Sequence, residues 1–233
     1  MNLPELEWQI IYGRLAWAAV LVTILAALLS SAWPHSRRMP GAAMAMLGIS
    51  VVVLSMLPGE ASPAYWLGLA FHWPSGLLVG LCLGKLYLLR DGRREHNAMP
   101  VGLAVPVALA GAVLYLDAIG LLSLGVYYLG FEPVAAPLSA LALALAGSAA
   151  VMLGRLRLQS FALLLAAVIY MLLRLPTGNL WDALLDPLLW TWSLVSLAGM
   201  ARWRWQPAGA GLHKRGHISR VQTQSVEDAE KSA

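Results

Sequence analysis

Apolar residues run along this chain in stretches too long for a soluble core helix, separated by short polar connections. Runs long enough to span a bilayer, about 17 to 25 residues each, lie at roughly 11–33, 41–57, 65–89, 101–118, 133–154, 158–174 and 187–203. The pattern predicts an all-α polytopic membrane protein of seven transmembrane helices. The stretch IGLLSLGVYYLG is too short to cross again, so the segment at about 119–131 is read as re-entrant or interfacial. Such backbone is tolerated only where it is buried in protein or lies at the headgroups. From Gln206 onward the apolar pattern stops, and residues 206–233 read as a disordered tail on a helical domain of residues 1–205. No internal repeat points to a transporter of the inverted-repeat type.

The connections alternate in charge. PHSRR, RDGRREHN, GRLR and the HKRGHISR tail are basic; ELE, PGEASP, GFEP and LPTGNLWDALLDP on the other side are acidic or neutral. Of the 16 Lys and Arg, only Arg14 and Arg174 fall on the second side. The positive-inside rule then puts the N-terminus out and the C-terminus in. The basic residues are a topology signal, so the net charge of +4 does not imply a nucleic-acid partner. Composition agrees: 59% of residues are hydrophobic and 12% charged, against about 25% charged in soluble domains. The opening MNLPELEWQIIYGR is acidic where a signal peptide is basic, so the first span is expected to be retained. Cys82 is the single cysteine, which excludes an intramolecular disulfide. Its apolar surroundings suit an inert thiol.

Ionisable residues inside spans are costly and point to function. Tyr12, Arg14, His72, Asp117, Tyr170 and Arg174 all fall in the outer half by this topology. Tyr170 and Arg174 are four apart and share a helix face, where a guanidinium beside a phenol suits a lipid phosphate. The same residues also fit a plainer role, Arg14 and Arg174 as interfacial anchors and the tyrosines as an aromatic belt. Asp117 is a candidate partner for Arg14 or Arg174. His72, two turns into a span, needs a hydrogen-bonding partner and has a titration range suited to a base. Pro74 beside it predicts a kink, and Gly76, Gly80 and Gly84 form a stripe that admits a close helix neighbour. In the outer loop, Asp182 and Asp186 suit either a metal or acid-base pair or a solvated face beside Trp181; Thr177 and Asn179 read as turn or cap residues. No cofactor and no resident metal are expected.

The order and spacing of Tyr12-Gly13, Phe71-His72 with Gly76 and Gly80, and Tyr170-x3-Arg174 resemble prolipoprotein diacylglyceryl transferase over most of residues 8–203. The resemblance implies a bacterial inner-membrane enzyme that moves diacylglycerol from phosphatidylglycerol to a cysteine of a lipoprotein precursor. It implies that Arg174 and Tyr170 bind the phosphoglycerol headgroup, that His72 assists thiol deprotonation and that Tyr12 shapes the cavity, with His72, Tyr170 and Arg174 as the catalytic set; Arg14 and Asp117 are further candidates for binding the substrate. The family's Gly-Arg-Ile-Gly-Asn segment is replaced here by AIGLLSLGVYYLG, with Leu121 at the arginine position, and the residues after His72 are Trp73-Pro74. A second reading follows from these departures: a non-catalytic protein of the same fold that binds lipid or scaffolds a membrane partner. A small transporter or channel is disfavoured by the lack of repeats and of charge near the midplane.

Overall fold

A computed structural model describes residues 5–32, 40–91, 99–154 and 156–204. The described chain is all-helical, with no strand. The elements in order are α1 (Leu6–Ala32), α2 (Gly41–Met56), α3 (Pro63–Phe71), α4 (Gly76–Arg90), α5 (Val101–Ala118), α6 (Val126–Leu129), α7 (Ala135–Met152), α8 (Arg157–Leu173), α9 (Leu180–Leu184) and α10 (Pro187–Arg204). Among the described residues, three helical stretches are long and apolar enough to cross a membrane: Leu6–Ser30, Val101–Ala118 and Ala135–Met152. Gly41–Met56 and Arg157–Leu173 are shorter apolar helices. The chain divides into two compact units, Met1–Ser196 and Leu197–Ala233, and the described part of the second is the end of α10. The expected tail at 206–233 lies outside the described residues, as do the basic connections at 33–39, 92–98 and 155.

The run at 65–89 is two helices rather than one kinked span. α3 ends at Phe71, α4 begins at Gly76, and His72 to Ser75 between them is extended or irregular. Pro74 has no amide to donate and biases the residue before it away from helical geometry. Ser75 then restarts the helix, its hydroxyl accepting the Leu78 amide at 3.2 Å as an N-cap. The segment at 119–131 forms turns and the single helical turn α6, with Ile119, Leu121, Leu124 and Tyr128 exposed.

Small residues set the packing of α4 on α8. A Cβ added at Gly80 would lie 2.7 Å from the Ala162 Cα, and one at Gly76 would lie 3.0 Å from the Ala166 Cα. At Gly84 it would meet the Leu158 side chain at 2.7 Å. The four-residue glycine spacing on α4 therefore faces Ala162 and Ala166, also four apart, on α8. In a bilayer, where apolar burial gives little net drive, such backbone proximity would be the main source of attraction between helices. α7 buries Ala136, Ala140 and Gly147 and packs on α8 as well.

Candidate functional site

The break between α3 and α4 leaves backbone groups without helical partners, and side chains from distant elements satisfy them. The Tyr12 hydroxyl donates to the Pro74 carbonyl at 2.8 Å, and the Trp17 indole N–H donates to the His72 carbonyl at 3.0 Å. The Ser75 amide donates to Asp186 Oδ2 at 2.6 Å. Asp186 Oδ1 accepts the Leu189 amide at 2.7 Å, so this carboxylate also caps α10. Trp73 fills the angle of the break, lying against the bare backbone of Gly13 and Gly68, where added Cβ atoms would meet its ring at 2.0 and 2.9 Å. Gly13 of the Tyr-Gly pair is thus explained by the indole packed on it.

His72 is exposed, which corrects the expectation of an imidazole two turns into a span and in need of a hydrogen-bonding partner. The helix ends one residue before it, so the ring is not carried into the helix packing. Its backbone has φ 63° and ψ −155°, a region occupied almost only by glycine. Among the described residues the imidazole makes no hydrogen bond, although Asp182 is within its electrostatic reach.

A second cluster ties α6 to α9. Asn179 caps α9 by accepting the Trp181 amide at 2.9 Å and donates to the Tyr127 carbonyl at 3.3 Å. The Trp181 indole donates to the Val126 carbonyl at 2.8 Å. Asp182 accepts from Thr177 at 2.6 Å and from the Tyr127 hydroxyl at 3.3 Å. Burial raises the Asp182 carboxyl above its ordinary value, opposed by the Thr177 and Tyr127 hydrogen bonds and the His72 charge. Burial raises Asp186 likewise, against its bonds to Ser75 and the Leu189 amide. Neither carboxylate belongs to a solvated face, which corrects that expectation, and no cluster of potential metal ligands occurs among the described residues. Thr177 and Asn179 hold the turn and cap roles expected of them.

Asp117 is buried and pairs with neither Arg14 nor Arg174, which corrects that expectation. Its Oδ1 accepts the amides of Leu124 at 2.8 Å and Gly125 at 3.0 Å, and Oδ2 accepts the Tyr127 amide at 2.9 Å. The loop folds back on the end of α5, and its amides outcompete a distant cation. Arg14 Nη1 donates to the Met56 carbonyl at 3.1 Å, where α2 ends. A cation at a helix C-terminus meets unsatisfied carbonyls and the negative end of the dipole. Tyr170 is fully buried; its hydroxyl donates to the Gly130 carbonyl at 3.4 Å and accepts from Arg174 Nη1 at 2.8 Å. Arg174 closes α8 with φ 56° and keeps its remaining N–H groups, and no described carboxylate pairs with it.

The six residues singled out in the sequence therefore do not line one polar cavity. Tyr127, Tyr115 and Asp182 enclose a void of only about 20 Å³, room for about one water. The Tyr115 hydroxyl is buried there without a partner among the described residues. The larger space is apolar: a groove of about 510 Å³ among α1, α2, α4 and α8, with Tyr12, Val52, Leu83, Leu165 and Ile169 in its walls. Trp17, Ser75, Asn179 and Asp186 carry connections that the polarity argument passed over or left open. Asp186-Pro187 and Asn179 were legible as helix starts, since an Asx cap, with proline at the first helical position in one case, is an N-terminal signature.

The geometry defines an all-helical protein with an apolar groove of about 510 Å³ and a half-buried arginine beside a buried tyrosine. No protein-family model matches the chain, no curated protein matches its sequence, and no solved structure matches it.

Proposed function

We propose that this chain is a multi-pass membrane protein, N-terminus out and C-terminus in, that binds a phospholipid without transferring its diacylglyceryl group to a thiol. The observation that carries the reading is the mismatch between the two kinds of space. Tyr12, Arg14, Asp117, Tyr170 and Arg174 bond backbone groups or one another, the void beside Tyr115 and Asp182 is water-sized, and the groove of about 510 Å³ has apolar walls. An acyl chain fits that groove. Ile169 lines it, and Arg174 follows about a turn and a half later on α8, with N–H groups left to hold a phosphate. Tyr170 positions the guanidinium, and its hydroxyl proton, donated to the Gly130 carbonyl, is not left for a phosphate. A bacterial inner membrane and a membrane-protein partner accord with this reading.

The transferase is the second reading, favoured by the Tyr170–Arg174 hydrogen bond and by an exposed imidazole near Asp182. One experiment separates them. The parent, His72→Gln and Arg174→Ala are expressed in cells depleted of their diacylglyceryl transferase, and phosphatidylglycerol retained by each purified protein is quantified. Lipid retention reduced in Arg174→Ala, with no rescue of growth by a well-expressed parent, is the expected result. Rescue by the parent that His72→Gln abolishes would replace it with the transferase. Equal lipid retention by parent and Arg174→Ala would remove the proposed headgroup site.

A further inference from the structure

A larger cleft opens at the opposite end of α4 and α8. It measures about 820 Å³ and is lined by Gly84 and Leu88 of α4 and by Phe161, Leu165 and Arg157 of α8. The cleft lies beside the contact of Gly84 with Leu158, where the chain enters α8 through two left-handed residues, Gly154 at φ 68° and Leu156 at φ 47°. That entry places the Arg157 guanidinium about one methyl group's distance from Gly154, since a Cβ added there would lie 3.5 Å from Nη2. Arg157 is exposed, and among the described residues it has no hydrogen-bond acceptor or carboxylate partner.

We infer that this cleft is a second lipid site that takes the phosphate of an anionic phospholipid at Arg157 and an acyl chain along Gly84, Phe161 and Leu165. Charge selects the occupant. Among the described residues Lys85, Arg90 and Arg157 belong to this end, against Asp91 as its acidic residue. A zwitterionic lipid gains little net attraction from such a surface, whereas each basic residue near anionic lipid contributes on the order of 1 kcal/mol. The guanidinium adds directed, charge-assisted hydrogen bonds to phosphate. From Arg157 to Leu165 is eight residues, or about 12 Å of helix, much of one leaflet of a ~30 Å hydrocarbon core. In the proposed topology that leaflet is the cytoplasmic one.

The test uses the full chain in nanodiscs with a phosphatidylglycerol carrying a photoactivatable group in one acyl chain, with adducts mapped by peptide mass spectrometry. Adducts are expected on Gly84, Tyr87 and Leu88 and on residues 158–162, which the first groove does not share, displaced by unlabelled phosphatidylglycerol and not by phosphatidylcholine. Arg157→Gln is expected to lower them about tenfold, the worth of one charge-assisted hydrogen bond, with adducts in the α1, α2, α4 and α8 groove unchanged. Arg157→Lys is expected to retain part of the labelling. Equal displacement by both lipids, or labelling indifferent to Arg157→Gln, leaves only the annular lipid that coats any membrane helix and overturns the proposal. Because labelling at Arg174 is read on different peptides, either lipid site can fail without the other.

Discussion

The Ser75 amide and Asp186 Oδ2 lie 2.6 Å apart across 111 residues of sequence, and the other oxygen of the same carboxylate accepts the Leu189 amide. One side chain thus fixes the start of α4 and the start of α10 together. Asp186→Ala leaves two buried donors unpaired, at about 1–3 kcal/mol each. Thermal unfolding in detergent should show a large loss for Asp186→Ala and a smaller one for Asp186→Asn, which keeps one acceptor. Equal, small losses would mean that the latch contributes little.

His72 holds a backbone conformation suited to glycine. His72→Gly is expected to stabilise the fold by about 1 kcal/mol, because the strain at such a position is of order 1–3 kcal/mol and glycine carries its own entropic cost. His72→Ala keeps the strain and should gain nothing. His72→Gly and His72→Ala proteins that both melt well below the parent would show that the imidazole holds the break by a contact of its own.

At Gly80 an added methyl meets helix backbone, whereas at Gly48 nothing lies within 4 Å. Gly80→Ala should force α4 from α8 and cost about 1–3 kcal/mol. Gly48→Ala should be neutral or gain up to about 1 kcal/mol through helix propensity. Comparison of their unfolding midpoints checks the pair, and a tolerated Gly80→Ala would place the helices farther apart than described.

Asp182 gives the cluster between α6 and α9 a pH dependence. Its folded pKa is raised above the ordinary 3.8 by burial, so the folded chain holds the proton more tightly than the unfolded one. That contribution to stability is fully present below the ordinary value and is lost as pH rises through the raised one. Asp182→Asn should flatten the decline of melting temperature over this window. Asp186, raised in the same direction, leaves a residual slope. Identical slopes for parent and variant would assign the dependence elsewhere.

What the sequence conveyed well was whatever repeats with the helix. The spacing of Gly76, Gly80 and Gly84 announced a close neighbour, and Ala162 with Ala166 is the matching face. The apolar runs at 101–118 and 133–154 became α5 and α7 almost residue for residue. The break at His72 was harder, because apolar residues continue on both sides and periodicity does not register a change of direction. Pro74 raised the prospect of a kink, but the bonds from Tyr12, Trp17 and Asp186 that make a full break affordable come from elements far away in sequence. Asp117 misled for the opposite reason: a carboxylate near two arginines invites an ion pair, and its three partners are backbone amides of the following loop, which no side-chain pattern records.

The broken helix also has an order of assembly written into it. Its two pieces, of 9 and 15 residues, are each shorter than the roughly 20 apolar residues of a self-sufficient span. Tyr12 and Trp17, which hold its carbonyls, are made before it. Asp186 is made after it: at about 5–20 residues per second, the ribosome needs roughly 6–22 s to travel from Ser75 to Asp186. Throughout that interval the Ser75 amide waits for its acceptor. A nascent chain that has emerged only as far as α8 already has the first pair of clasps and lacks the last one, so the final shape of its middle is decided by its closing segment.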